Sequence, residues 1–83
     1  MKINLRIIFA DGKTSDIVVN AADMVAFENK FDKSIAVLQN DYRLTYMAYL
    51  AWHSESRQKK TDLDFDAWLD TIENVTGSEE DPK

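Results

Sequence analysis

His53 is the sole histidine in the chain, and cysteine is absent. Acid–base or nucleophilic catalysis needs a base within reach of a nucleophile and a third group to orient it. No serine or acid spacing around His53 suggests such a triad, so it reads as a packing or surface residue. Without cysteine the soft metal sites are excluded, and one histidine cannot build a zinc site alone. Asp62, Asp64 and Asp66 alternate, and Glu73 is twelfth counting from Asp62, which imitates the ligand spacing of a calcium loop. The sixth position is Ala67, where the loop's sharp turn needs glycine, and the residues between the acids include Leu63, Phe65 and Trp68. A helix N-terminus accounts for the same aspartates. Gly12-Lys13 supplies neither a nest of amides nor a helix start, so it is no phosphate cradle. The expectation is a protein with no catalytic residues, no cofactor and no metal.

One constellation suits binding. Placed on a helix, Tyr42, Tyr46, Tyr49 and His53 fall on one side, and Leu44, Met47, Ala48 and Ala51 on the other. The tyrosine stripe either packs against another element or stays partly exposed. Exposed tyrosines give rigid amphipathic area of the kind favoured at interface hot spots. Tyr42, Tyr46, Tyr49 and His53 are therefore the candidate partner-binding residues.

The elements that would carry them are read from periodicity. Ile3, Leu5, Ile7 and Phe9 alternate with Lys2, Asn4, Arg6 and Ile8, the pattern of a half-buried strand. Asp11-Gly12 then signals a hairpin, and a return strand spans about 14–19. A three-residue loop, Ala10-Asp11-Gly12, sets Ile3 opposite Val19, Leu5 opposite Ile17, Ile7 opposite Ser15 and Arg6 opposite Asp16. The two-residue alternative faces Arg6 with Ile17, so side-chain matching favours the longer loop. Asn20 can cap a helix over 21–31, with Asp23 three residues on and Met24, Phe27 and Phe31 on one stripe. Residues 34–40 are open: extended connector, helical turn or third strand. Asp41 is expected to cap a long helix over 42–59. Asp64 is expected to cap a last helix carrying Phe65, Trp68, Leu69, Ile72 and Val75, ended by Gly77. Both Trp52 and Trp68 are expected to be largely buried.

Eighty-three residues suit one domain. The fold expected is α+β, an antiparallel hairpin packed against three helices, with a domain over 1–76 and a flexible acidic tail over 77–83. Net charge is −5, made of +2 over residues 1–60 and −7 over 61–83. No basic stripe is visible, which argues against nucleic acid as partner. The longest apolar run, 47–52, is far too short to cross a bilayer. Charge among the first apolar residues argues against a secretory signal, so the expected setting is cytoplasmic, with no membrane association.

Phe27-Glu28 through Phe31, the run Tyr-Met-Ala-Tyr-Leu-Ala-Trp-His over 46–53, and Phe65-Asp66-Ala67-Trp68-Leu69-Asp70 with Ile72-Glu73 carry a family resemblance. Over about residues 1–75 the chain resembles the small tail assembly chaperones of long-tailed bacteriophages, of the actinophage and siphophage type. The resemblance implies a non-catalytic protein of the host cytoplasm. Its implied partners are the tape measure protein and the tail tube protein, and a homo-oligomer is a further expectation. Such proteins are often made alongside a longer, frameshifted product. The family has no fixed contact motif to carry over. The competing reading is a small acidic inhibitor or nucleic-acid mimic that covers a basic partner.

Overall fold

A computed structural model describes residues 3–77. Strand β1 (Ile3–Phe9) and strand β2 (Thr14–Val19) form the hairpin. Their pairing sets Ile3 against Val19, Leu5 against Ile17, Arg6 against Asp16 and Ile7 against Ser15, the register that side-chain matching selects. The Phe9 N–H donates to the Lys13 carbonyl at 2.8 Å across the three-residue loop, where Gly12 takes a φ of 95°. That left-handed conformation is open to glycine at no steric cost. On the solvent side the Arg6 Nε donates to Asp16 Oδ1 at 2.8 Å.

Helix α1 (Ala21–Phe31) starts at a complete capping box, in which Asn20 Oδ1 accepts from the Asp23 N–H and an Asp23 carboxylate oxygen accepts from the Asn20 N–H. Residues 34–40 resolve as a 3-10 helix, Ile35–Gln39, capped by Ser34. Helix α2 (Leu44–Arg57) begins two residues later than periodicity suggests, and Asp41 does not cap it. The Asp41 carboxylate instead holds the Arg43 guanidinium at 2.9 Å, and Arg43 is the N-cap residue, with no side-chain cap bond. The helix also stops at Arg57 rather than 59, in a tight turn that puts Lys59 at φ 62°.

The expected last helix is corrected. Helix α3 (Phe65–Leu69) is five residues long, capped by Asp64, and Ile72–Gly77 is a strand, β3. The chain leaves α3 through 3-10 type bonds, Asp70 N–H to the Ala67 carbonyl and Thr71 N–H to the Trp68 carbonyl. The Thr71 hydroxyl donates to that same Trp68 carbonyl at 2.7 Å. Thr71, Ile72, Val75 and Thr76 are β-branched, which favours the pleated conformation over a continued helix. The free edge of β1 supplies the backbone partners: β3 adds antiparallel there, Ile7 opposite Val75 and Leu5 opposite Gly77, with an irregularity at Ile8/Phe9. Gly77 thus belongs to the sheet and not to a tail, and the expected flexible tail over 78–83 lies outside the described residues.

The fold is α+β: a three-stranded antiparallel sheet of order β2-β1-β3 and three α-helices. Helix α2 lies across the sheet and touches all three strands. Leu5, Ile7, Ile17, Val19 and Val75 from the sheet meet Phe27, Leu38, Leu50 and Trp68 in one core. Trp68 is buried as expected, with its indole N–H lacking an acceptor among the described residues, whereas Trp52 is only half-buried. Among the described residues no helix is long and apolar enough to cross a membrane.

Candidate functional site: an aromatic surface on the second helix

The four candidate residues go to three different places. Tyr46 is 4% exposed and belongs to the core. Its ring meets Phe27 and Phe31 edge to face, at centroid distances of 5.2 and 5.0 Å, and the Arg43 guanidinium lies 5.2 Å from its centre. Tyr46 is therefore unavailable to a partner while the protein is folded. The reason is positional: α1 packs on this side of α2 and needs an apolar counterpart for Phe27 and Phe31. Tyr42 precedes the helix and is 64% exposed. With Leu44 and Met47 it faces the edge of β3 across an open groove of about 490 Å³.

Tyr49 and His53 remain together, and the fold gives them other company. Tyr49 is the hub of a run of half-buried rings: Phe31 at 5.5 Å, Trp52 at 5.6 Å, Phe65 at 5.6 Å and His53 at 6.1 Å. Trp52 also meets Phe65 at 5.7 Å and His53 at 6.3 Å. Helical spacing places Tyr49, Trp52 and His53 side by side at i, i+3 and i+4. Phe65 comes from α3, whose approach is fixed by the Trp52 Nε1–H donating to the Leu63 carbonyl at 2.9 Å. Burial pushes the Tyr49 phenol above its ordinary pKa. Leu63, whose carbonyl holds Trp52, is 39% exposed, and Leu69, one turn after Phe65 on α3, is 37% exposed. An aromatic centre that water still reaches, with aliphatic neighbours and a charged rim, has the make-up of a protein interface.

His53 is anchored from below. Its Nδ1 lies 2.6 Å from Asp23 Oδ1, and Arg57 donates to both oxygens of the same carboxylate, Nε to Oδ1 at 3.2 Å and Nη2 to Oδ2 at 3.0 Å. Burial of Asp23 pushes its carboxyl up, but the hydrogen bonds from Arg57, His53 and the Asn20 N–H and the Arg57 charge outweigh that, so it sits below the usual carboxylate range. An ionised carboxylate only accepts, so His53 Nδ1 carries the proton in this contact. The neighbouring hydroxyl, Ser54, is buried and bonded to Arg57 and Gln58. Asp23, bonded to both His53 and Arg57, ties α1 to α2 and orients the imidazole.

The acids that imitate a calcium loop are dispersed by the fold. Asp64 Oδ1 accepts from the Ala67 N–H as the α3 cap, Asp66 is in the first turn of α3, and Glu73 is exposed on β3. Among the described residues no group of three histidine, cysteine or acidic side chains could hold a metal ion. Sequence reasoning missed Phe31, Trp52 and Phe65 as parts of the aromatic surface. The available signal was the Tyr49, Trp52, His53 spacing itself, which a projection centred on tyrosines passes over. Comparison of the chain with protein-family models, curated proteins and solved structures finds no match.

Proposed function

We propose that this is a non-catalytic protein-binding component of phage tail assembly that works in the host cytoplasm and engages the tape measure protein through Tyr49, Trp52 and Phe65, with His53 at the edge. The carrying observation is the continuous run of half-buried rings across two helices. Burying such rings costs little new ordering, because each is already held by its neighbours, so less of the contact energy is lost to immobilising side chains. The phage assignment draws on the resemblance of the segments 27–31, 46–53 and 65–73 to tail assembly chaperones. Tyr42 and Leu44, 64% and 49% exposed, offer a second contact region beside β3.

The test is co-expression with a tape measure protein of a long-tailed phage. The reading expects a soluble complex that co-elutes on size exclusion, and loss of that complex for Tyr49→Ala. A tape measure protein that is equally soluble and elutes alone, with or without this chain, sinks the assignment.

A further inference from the structure

We infer that the segment this aromatic surface accepts is a basic amphipathic stretch of the partner, with apolar side chains on Trp52 and Phe65 and lysine or arginine on either side. The inference rests on the reading of the surface as a binding site and adds the chemistry of what binds. It is argued from charge complementarity. Residues 61–77 contain five carboxylates and no lysine or arginine. Four of them alternate in sequence with exposed or half-buried apolar residues: Asp62 and Asp64 flank Leu63, Asp66 follows Phe65, and Asp70 follows Leu69. All four are exposed, and none forms an ion pair among the described residues.

The folded state accounts for only part of this charge. Asp64 caps α3, and Asp66 stands in its first turn, where a negative charge favours the helix. Asp62 and Asp70 have no such role. The cations nearest in sequence, Lys59 and Lys60, share a polar hollow with Ser56, Thr61 and Asp62, so they lie near one rim carboxylate, and they form no ion pair with Asp64, Asp66 or Asp70 among the described residues. A partner of opposite charge is therefore steered to this face, and an acidic one is repelled. Lysine or arginine of the partner also suits an aromatic surface, because ring faces attract ammonium and guanidinium groups.

The experiment titrates the full chain with two synthetic helical peptides of about 18 residues, identical in their leucine stripe and differing in having lysine or glutamate elsewhere. The Trp52 indole N–H resonance reports the contact, and the full-length Asp62→Asn/Asp66→Asn/Asp70→Asn variant reports the rim. The lysine peptide is expected to shift that resonance and to bind about tenfold tighter than the glutamate peptide at low salt, the margin shrinking in the triple variant and at high salt. Equal binding of both peptides overturns the basic-partner inference and leaves the binding surface standing. Failure of both to move the Trp52 signal overturns the surface as well. If the chain alone dimerises and the triple variant does not, the occupant is a second copy of this chain and the inference fails in that direction.

Discussion

On its α1 side, α2 is fastened through a carboxylate that water does not reach; on its α3 side, it is fastened through rings that water still does. Asp23 is fully buried and receives His53, Arg57 and the Asn20 backbone, while Phe27 and Phe31 close on Tyr46 beside it. The α3 junction has no ion pair at all among the described residues, only Phe65 against Tyr49 and Trp52 and the indole bond to Leu63. The first junction spends its groups on itself. The second leaves apolar area uncovered, and that is why we propose a binding surface there and not at the neighbouring tyrosine one turn back.

The largest expected effect separates the two by burial. Phe27→Ala, at a fully buried ring, should destabilise by about 3–5 kcal/mol in denaturant melts. Phe65→Ala, at a half-buried one, should cost about 1–2 kcal/mol, because less area leaves water on folding. Equal losses would erase the distinction between core and surface rings.

Next in size is the buried charge. Asp23→Ala removes the counter-ion of Arg57 and half of the α1 capping box, and should cost about 2–4 kcal/mol. Arg57 and His53 still reach water, which keeps the loss toward the lower figure. The same group sets a pH dependence. Its folded pKa lies below the ordinary carboxylate value, so its stabilising contribution is complete above that ordinary value, about 3.9, and is lost as pH falls through the folded one. The acid limb of an unfolding curve should therefore flatten in Asp23→Ala relative to the wild type. An identical acid limb would remove Asp23 from the account.

At the α3 junction, Trp52→Phe keeps the ring contact and deletes the indole bond to Leu63, for a loss of about 1 kcal/mol by thermal melt. The smallest effect is a gain beyond both junctions. Lys59 holds a left-handed φ of 62° just past the end of α2, and Lys59→Gly should stabilise by about 0.5–1 kcal/mol. A loss there would mean that the Lys59 side chain contributes more than its backbone strain costs.

The same contrast explains what could be read from the chain without its fold. The β1–β2 register was legible because each alternative puts Arg6 beside a different residue, and only one pairs it with Asp16. The capping box at Asn20 and Asp23 was legible because both partners are local. Residues 65–77 were not. Phe65, Trp68, Leu69, Ile72 and Val75 satisfy a helical period, and nothing local reveals that β1 has a second edge waiting for a partner. Asp41 stands where a cap is expected, yet its carboxylate is taken by Arg43. At the candidate site, the nearness of Tyr49 and His53 was legible, whereas the burial of Tyr46 was not. With α2 apolar nearly all round, periodicity cannot say which side receives Phe27 and Phe31. Phe65 was missed because it is distant in sequence from Tyr49 and meets it only once Leu63 is bonded to Trp52.

The most direct measurement of the central claim is a calorimetric titration of the tape measure protein into the wild-type chain and into Phe65→Ala, with thermal melts of both proteins in the same buffer. The account predicts that Phe65→Ala stays folded and binds at least about tenfold more weakly, as truncation of an interface aromatic does. Wild-type affinity in a folded Phe65→Ala protein would contradict it.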